Sequence, residues 1–160
     1  MVIAIHVGPE KGGPLQSVSA VRAVAGHVLE GDHNFHPSGA APGDGLTLIE
    51  DEVVEGIGLE RGQTRRQLSV RGVGLNGLVG KRVTVGDVEC HGVELCEPCL
   101  RLHKMTRPGL LKDLVHRGGL RADIVSDGTI GIGDEINESV AERAPDGPPN
   151  LLPHDDAYRR

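Results

Sequence analysis

Aromatic side chains are almost missing from this 160-residue chain, which has one Phe, one Tyr and no Trp. Its interior must therefore be filled by valine, leucine and isoleucine. Basic charge is also scarce: 17 Lys and Arg stand against 23 Asp and Glu, a net charge of −6. That balance excludes general nucleic-acid affinity, which needs a basic footprint. No apolar run approaches the ~20 residues that would span a bilayer, so no membrane association is expected. Cysteine is limited to three residues, an odd number that fits poorly with a disulfide framework. Met1 leads directly into Val2-Ile3-Ala4-Ile5-His6-Val7, without a basic n-region or a small-residue cleavage site. The expected location is the reducing cytoplasm.

Glycine and proline, by contrast, are plentiful: 24 and 10 residues. They imply many tight turns joining short elements, and so a mainly β fold. The length suits one domain with a real core. Residues 1–140 are expected to form it. From Ala141 onward Pro145, Pro148, Pro149 and Pro153 stand among polar residues, so 141–160 reads as a disordered tail.

Residues 2–7 predict a first strand, and the β-branched residues between 17 and 30 favour a second. Pro37 to Gly45 reads as a loop with a mobile tip. Leu46-Thr47-Leu48-Ile49 predicts a short buried strand. Glu50-Asp51-Glu52 then opens a helix to about Ile57, with the carboxylates on the favourable end of its dipole. They read as capping and solvation, because three adjacent acids cannot share a face and nothing nearby partners them. Arg65 to Val70 alternates like a strand, and Lys81 to Leu95 reads as a hairpin or bulged strand around Gly86-Asp87. Leu110 to His116 has helical spacing and stops at Gly118-Gly119. Ser126-Asp127-Gly128 between two apolar runs predicts a hairpin. Strands outnumber helices, so the expected architecture is a closed or nearly closed β-barrel with a few short covering helices.

Cys96-Glu97-Pro98-Cys99 brings reactive side chains, a rigid residue and cationic neighbours together, with Arg101, His103, Lys104 and Arg107 just downstream. A thiolate is both a nucleophile and a soft metal ligand, and nearby positive charge makes it available. Three readings of the residues compete with a simple buried pair. The spacing matches a thiol-disulfide oxidoreductase, in which Cys96 would attack and Cys99 resolve. Cys90, Cys96, Cys99 and His103 form an irregular set for structural zinc. Alternatively, one thiolate acts on its own as metal ligand or sulfur carrier.

From about Gly31 to Glu135 the order of motifs resembles the MOSC family, named for the C-terminal domain of molybdenum-cofactor sulfurases. Gly31-Asp32-His33 is similar to that family's Gly-Asp-x-His turn. Leu46 to Ile49 with acids behind it, Arg65-Arg66-Gln67-Leu68, Leu75-Asn76-x-Leu78-x-Gly80 and Val85-Gly86-Asp87 follow in family order. Pro98-Cys99, Arg117-Gly118-Gly119-Leu120-Arg121-Ala122 and Gly131-x-Gly133-Asp134 complete it.

The resemblance implies a MOSC-type β-barrel that binds the molybdenum cofactor, a molybdopterin, or carries sulfur as a persulfide on one cysteine. That cysteine is Cys99, the catalytic residue and the molybdenum ligand when cofactor is bound. Cys96 is a less regular family feature. Similar proteins include reductases of N-hydroxylated compounds. A cysteine desulfurase or an electron-transfer protein is the implied partner. A pterin phosphate needs guanidinium donors, and Arg65, Arg66, Arg117 and Arg121 are the candidates. His33 and His36 flank Phe35 in a loop and could position substrate, transfer a proton or ligate metal. Asp32 joins His33 as a candidate for the cofactor site, and also reads as a turn former. His116 reads as structural, at a helix end where a cation suits the dipole.

Overall fold

The computed structural model describes residues 1–98, 106 and 108–139. Cys99, His103 and the tail expected at 141–160 lie outside the described residues.

Ten strands and two short helices make up the described part. They are β1 (Val2–Val7), β2 (Gln16–Val18), β3 (Ala20–Ala23), β4 (Leu46–Glu50), α1 (Asp51–Gly56), β5 (Leu68–Val70), β6 (Arg82–Val85), β7 (Val88–Leu95), α2 (Leu110–Leu114), β8 (Leu120–Ile124), β9 (Gly128–Gly131) and β10 (Ile136–Glu138). Eight strands form one sheet in the order β10-β6-β7-β8-β4-β5-β1-β2, and β3 pairs with β9 in a separate ribbon. The pairing is antiparallel throughout, apart from β4 and β5, which α1 joins in parallel.

The ribbon ties the two edges of the curled sheet together. Edge strand β2 continues through Ser19 into β3, and β9 leads into the other edge strand, β10. The Ile132 N–H donates to Ser19 O, Val2 N–H to Asp134 O, and Gly133 N–H to Val2 O. Edges held this way offer little unpaired backbone to another chain, and the mainly β fold is as expected, its sheet curled into a half-barrel.

One cluster of Val, Leu and Ile from β1 and β3–β9 fills the barrel, among them Ile5, Leu46, Leu68 and Leu120, all fully buried. Each such side chain contributes about 1.5–3 kcal/mol by leaving water. Outside the barrel, Ile49 packs with Val54 of α1 and Leu110 and Leu114 of α2. Both faces of β4 are thus covered, which is why its sequence reads as an unbroken apolar run.

The Asp-Gly hairpin expected after β8 does not form. β8 already pairs on one side with β7 and on the other with β4, so no edge is left for β9, which pairs with β3 instead. Asp127 serves that arrangement by accepting the Ala25 N–H at 2.7 Å.

The acids opening α1 also have partners that sequence distance hid. Asp51 is fully buried and grips Arg61 through two hydrogen bonds of 3.0 and 3.2 Å, with Arg71 on the same carboxylate. Burial pushes the Asp51 carboxyl up, but the two guanidiniums outweigh it and hold the group below its ordinary range.

Candidate functional site

A cleft of about 630 Å³ opens at one end of the barrel, within the range of small-molecule sites. Asp32, His33, Arg65 and Arg121, drawn from three separated sequence blocks, all line it, together with His6, His36, Asp44, Thr47 and Gln67. Strand register builds its floor. Thr47 of β4 stands opposite Arg121 of β8, which in turn stands opposite Glu94 of β7.

Asp32 is buried and fully used. One carboxylate oxygen accepts the Asn34 N–H at 2.9 Å and the other accepts Gln67 Nε2 at 3.1 Å. Gln67 Oε1 accepts the Thr47 N–H at 2.9 Å, while Thr47 Oγ1 accepts the Gln67 N–H at 3.0 Å. The turn is thereby fixed to β4 and to the entry of β5. His33 Nδ1 faces the Gly8 carbonyl at 2.9 Å. A carbonyl only accepts, so Nδ1 carries the hydrogen and Nε2 of the neutral ring keeps its lone pair for a ligand or a proton.

The two cleft arginines differ. Arg121 donates to the Gly43 carbonyl, to Glu94 Oε1 at 3.0 Å and to Asp44 Oδ1, so its charge is matched by carboxylates. Arg65 donates through Nη2 to Gly13 O at 2.9 Å, and no carboxylate within 4 Å pairs with it among the described residues. Its backbone is left-handed, with φ of 60°, a conformation that costs a non-glycine residue about 1–2 kcal/mol. His6, on β1, buries an Nδ1 that has no hydrogen-bond partner among the described residues. Burial first, and the charge of Arg61 second, lower its pKa.

Arg66 and Arg117 do not line the cleft. Arg66 spends its donors on Gly118 O at 2.8 Å, Cys96 O at 3.2 Å and Thr64 O at 3.3 Å. Arg117 caps α2 by donating to Asp113 O. The side chains that sequence reasoning missed are His6, Thr47, Gln67, Asp44 and Glu94. A histidine interrupting the apolar run of β1 and a glutamine directly after Arg65-Arg66 were the available signals.

Cys96 directly follows β7, two residues beyond Glu94. The described cysteines are both buried. Cys90 belongs to the barrel core, where burial, reinforced by Asp123 and Glu89, pushes its thiol up to about 12. Among the described residues no three His, Cys, Asp or Glu side chains gather as a metal set.

The MOSC domain profile matches residues 45–137, more than half of the chain. The protein belongs to the MOSC domain family. Solved structures agree on the fold. The YuaD protein of Bacillus subtilis superposes with a TM-score of 0.68 at 14% identity, over 85% of this chain and 94% of that one. YiiM of Geobacillus stearothermophilus gives 0.65 at 15%, over 87% and 74%. YiiM of Escherichia coli gives 0.62 at 12%, over 86% and 69%. No curated protein matches the chain. No helix among the described residues is long and apolar enough to cross a membrane.

Proposed function

We propose that this protein holds the molybdenum cofactor, or carries sulfur as a persulfide, on Cys99, and that the cleft receives the pterin or the substrate. MOSC domains in general are associated with the cofactor. The observation that carries the reading is the meeting of Asp32, His33, Arg65 and Arg121 in one cleft of suitable size. The donor set fits an anionic pterin at the Arg65 guanidinium. That guanidinium has donors to spare and lines the same cleft as His33 and His36. Arg121 is instead held by Asp44 and Glu94, so its charge is already matched.

In this reading Arg65 binds the phosphate and the Asp32 turn orients His33. His33 Nε2 takes or gives a proton at the bound molecule. The cofactor supplies a redox-active metal for which a cysteine thiolate is a suitable ligand. Persulfide transfer would use the same sulfur. Reduction of N-hydroxylated compounds, with an electron-transfer partner, is the activity to screen.

The test is to purify the protein from a host that makes the cofactor and measure bound molybdenum and pterin, with Cys99→Ser beside it. Stoichiometric cofactor that disappears in the variant is the expected result. If neither sample holds cofactor and Cys99 forms no persulfide with a sulfane-sulfur donor, the proposal fails.

A further inference from the structure

The turn that follows β3 is closed by the His27 N–H, which donates to Val24 O at 3.0 Å. Three contacts tie the loop from Asn34 to Ala41 to this turn. The Ala40 N–H donates to Gly26 O at 2.8 Å, and Gly39 lies so near that a Cβ there would overlap the same oxygen. The His27 ring stacks on Phe35, with centroids 5.1 Å apart and planes 21° from parallel. Its Nε2 faces the Pro37 carbonyl at 3.3 Å. Asn34, His36, Gly39, Ala40 and Ala41 all line the cleft, so the turn holds one of its walls in place.

The second ring nitrogen makes this contact informative. Nδ1 faces the Ala25 carbonyl at 3.0 Å, so both nitrogens meet carbonyl oxygens, which only accept. A neutral imidazole has one N–H and satisfies one of them, whereas the imidazolium donates to both. Its charge also strengthens the contact with the Phe35 ring. When a proton is lost, the shorter and more enclosed bond to Ala25 O keeps the hydrogen on Nδ1. The Nε2 lone pair is then left facing those of Pro37 O. Ala25 belongs to the same turn as His27, and Pro37 to the cleft wall, so the bond that fails is the one that joins them.

We propose that His27 is a proton-dependent clamp on the cleft: as imidazolium it fastens the 34–41 loop, and as the neutral ring it releases it. The inference concerns the wall and holds whichever molecule the cleft receives. Histidines change charge between about pH 5 and 8, so the wall is firm on the acid side of that range and loose on the alkaline side. His27 is a positioning residue. Several charged and titratable groups stand on the elements packed around it. Arg22 and Glu30 flank the turn and pair with each other, and Asp127 accepts the Ala25 N–H. Asp123 of β8 accepts the Gly43 N–H, and His33, His36 and Asp44 line the cleft. Of these, only the two histidines are of a type that titrates in the same range.

The experiment measures native-state amide exchange in the full-length protein, without added ligand, at about pH 5.5 and about pH 8. Expressed as protection relative to an unstructured peptide, exchange separates opening of the loop from global unfolding. Protection of the Ala40 N–H is expected to fall roughly tenfold from the acid to the alkaline sample, the change in open population that about 1.4 kcal/mol produces. Nitrogen NMR of the His27 ring should show both nitrogens protonated in acid and Nδ1 alone in alkali. His27→Gln keeps a side-chain donor but cannot titrate, so its Ala40 protection should not change with pH. His33→Gln and His36→Gln should keep the wild-type dependence. Equal protection of wild-type Ala40 at the two pH values overturns the clamp. So does a dependence that survives His27→Gln or vanishes in either of the other variants, and so does a hydrogen found on Nε2 of the neutral ring. A protein that binds no molybdenum and forms no persulfide would count against the cofactor reading and leave this test standing.

Discussion

Arg65 combines the two attributes that matter most at the residue scale: a guanidinium without a carboxylate partner among the described residues and a left-handed backbone. Replacing it with glycine separates them. Relief of the backbone is worth about 1–2 kcal/mol, and loss of the bond to Gly13 O costs about 1 kcal/mol. The melting temperature of Arg65→Gly should therefore be unchanged or slightly higher, while bound molybdenum and pterin fall sharply. Undiminished cofactor in this variant would remove Arg65 from the site. Of the four arginines the sequence offered as equals, only Arg65 and Arg121 reach the cleft. Residue type alone could not rank them, because what distinguishes them is who answers their charge. Asp44 and Glu94 lie 77 and 27 residues from Arg121. Asp51 teaches the same point, since its partners Arg61 and Arg71 are 10 and 20 residues away.

Among the elements, Gly118-Gly119 read as a helix stop, yet α2 ends at Leu114 and the glycines begin beyond His116. Their purpose is close packing. A Cβ at Gly119 would overlap the Leu48 carbonyl of β4, and its φ is 104°. Gly56 at the end of α1 has open space where a Cβ would go. Gly119→Ala is thus expected to cost at least about 3 kcal/mol, whereas Gly56→Ala should be neutral or stabilise by up to about 1 kcal/mol. Urea denaturation would measure both, and equal stabilities would mean that the β4–β8 approach relaxes freely. The strands β1, β4, β6 and β7 were legible because apolar residues and turns repeat locally. The β9 partner was not, because pairing is decided by which edges remain open, a property of the assembled sheet.

For the molecule as a whole, buried and half-buried titratable groups set the pH range of stability. His6 has a folded pKa below its ordinary 6.5. As pH falls below about 6.5 the unfolded chain gains a proton the native state refuses, so stability drops. Asp51, held below its ordinary 3.8, adds a further loss at more acid pH. Glu50 opposes them in between. Burial raises it above 4.5, so the native state keeps an extra proton and stability falls as pH rises through that window. On the alkaline side Cys90 dominates. Its thiol titrates at 9.0 when unfolded and at about 12 in the core. Between those values the native state keeps a proton that the unfolded chain loses, and stability declines as pH rises. The maximum should therefore lie between about pH 6.5 and 9. From pH 9 to 10.5 the Cys90 contribution alone amounts to a fall of up to about 2 kcal/mol. Cys90→Ala removes that titration at the cost of a small cavity, lowering stability at neutral pH while flattening the alkaline limb. Urea denaturation of both proteins at intervals from pH 5 to 10.5 measures the two curves. Convergence above pH 9 is expected, and curves that stay parallel to pH 10.5 would show that Cys90 does not govern the alkaline side.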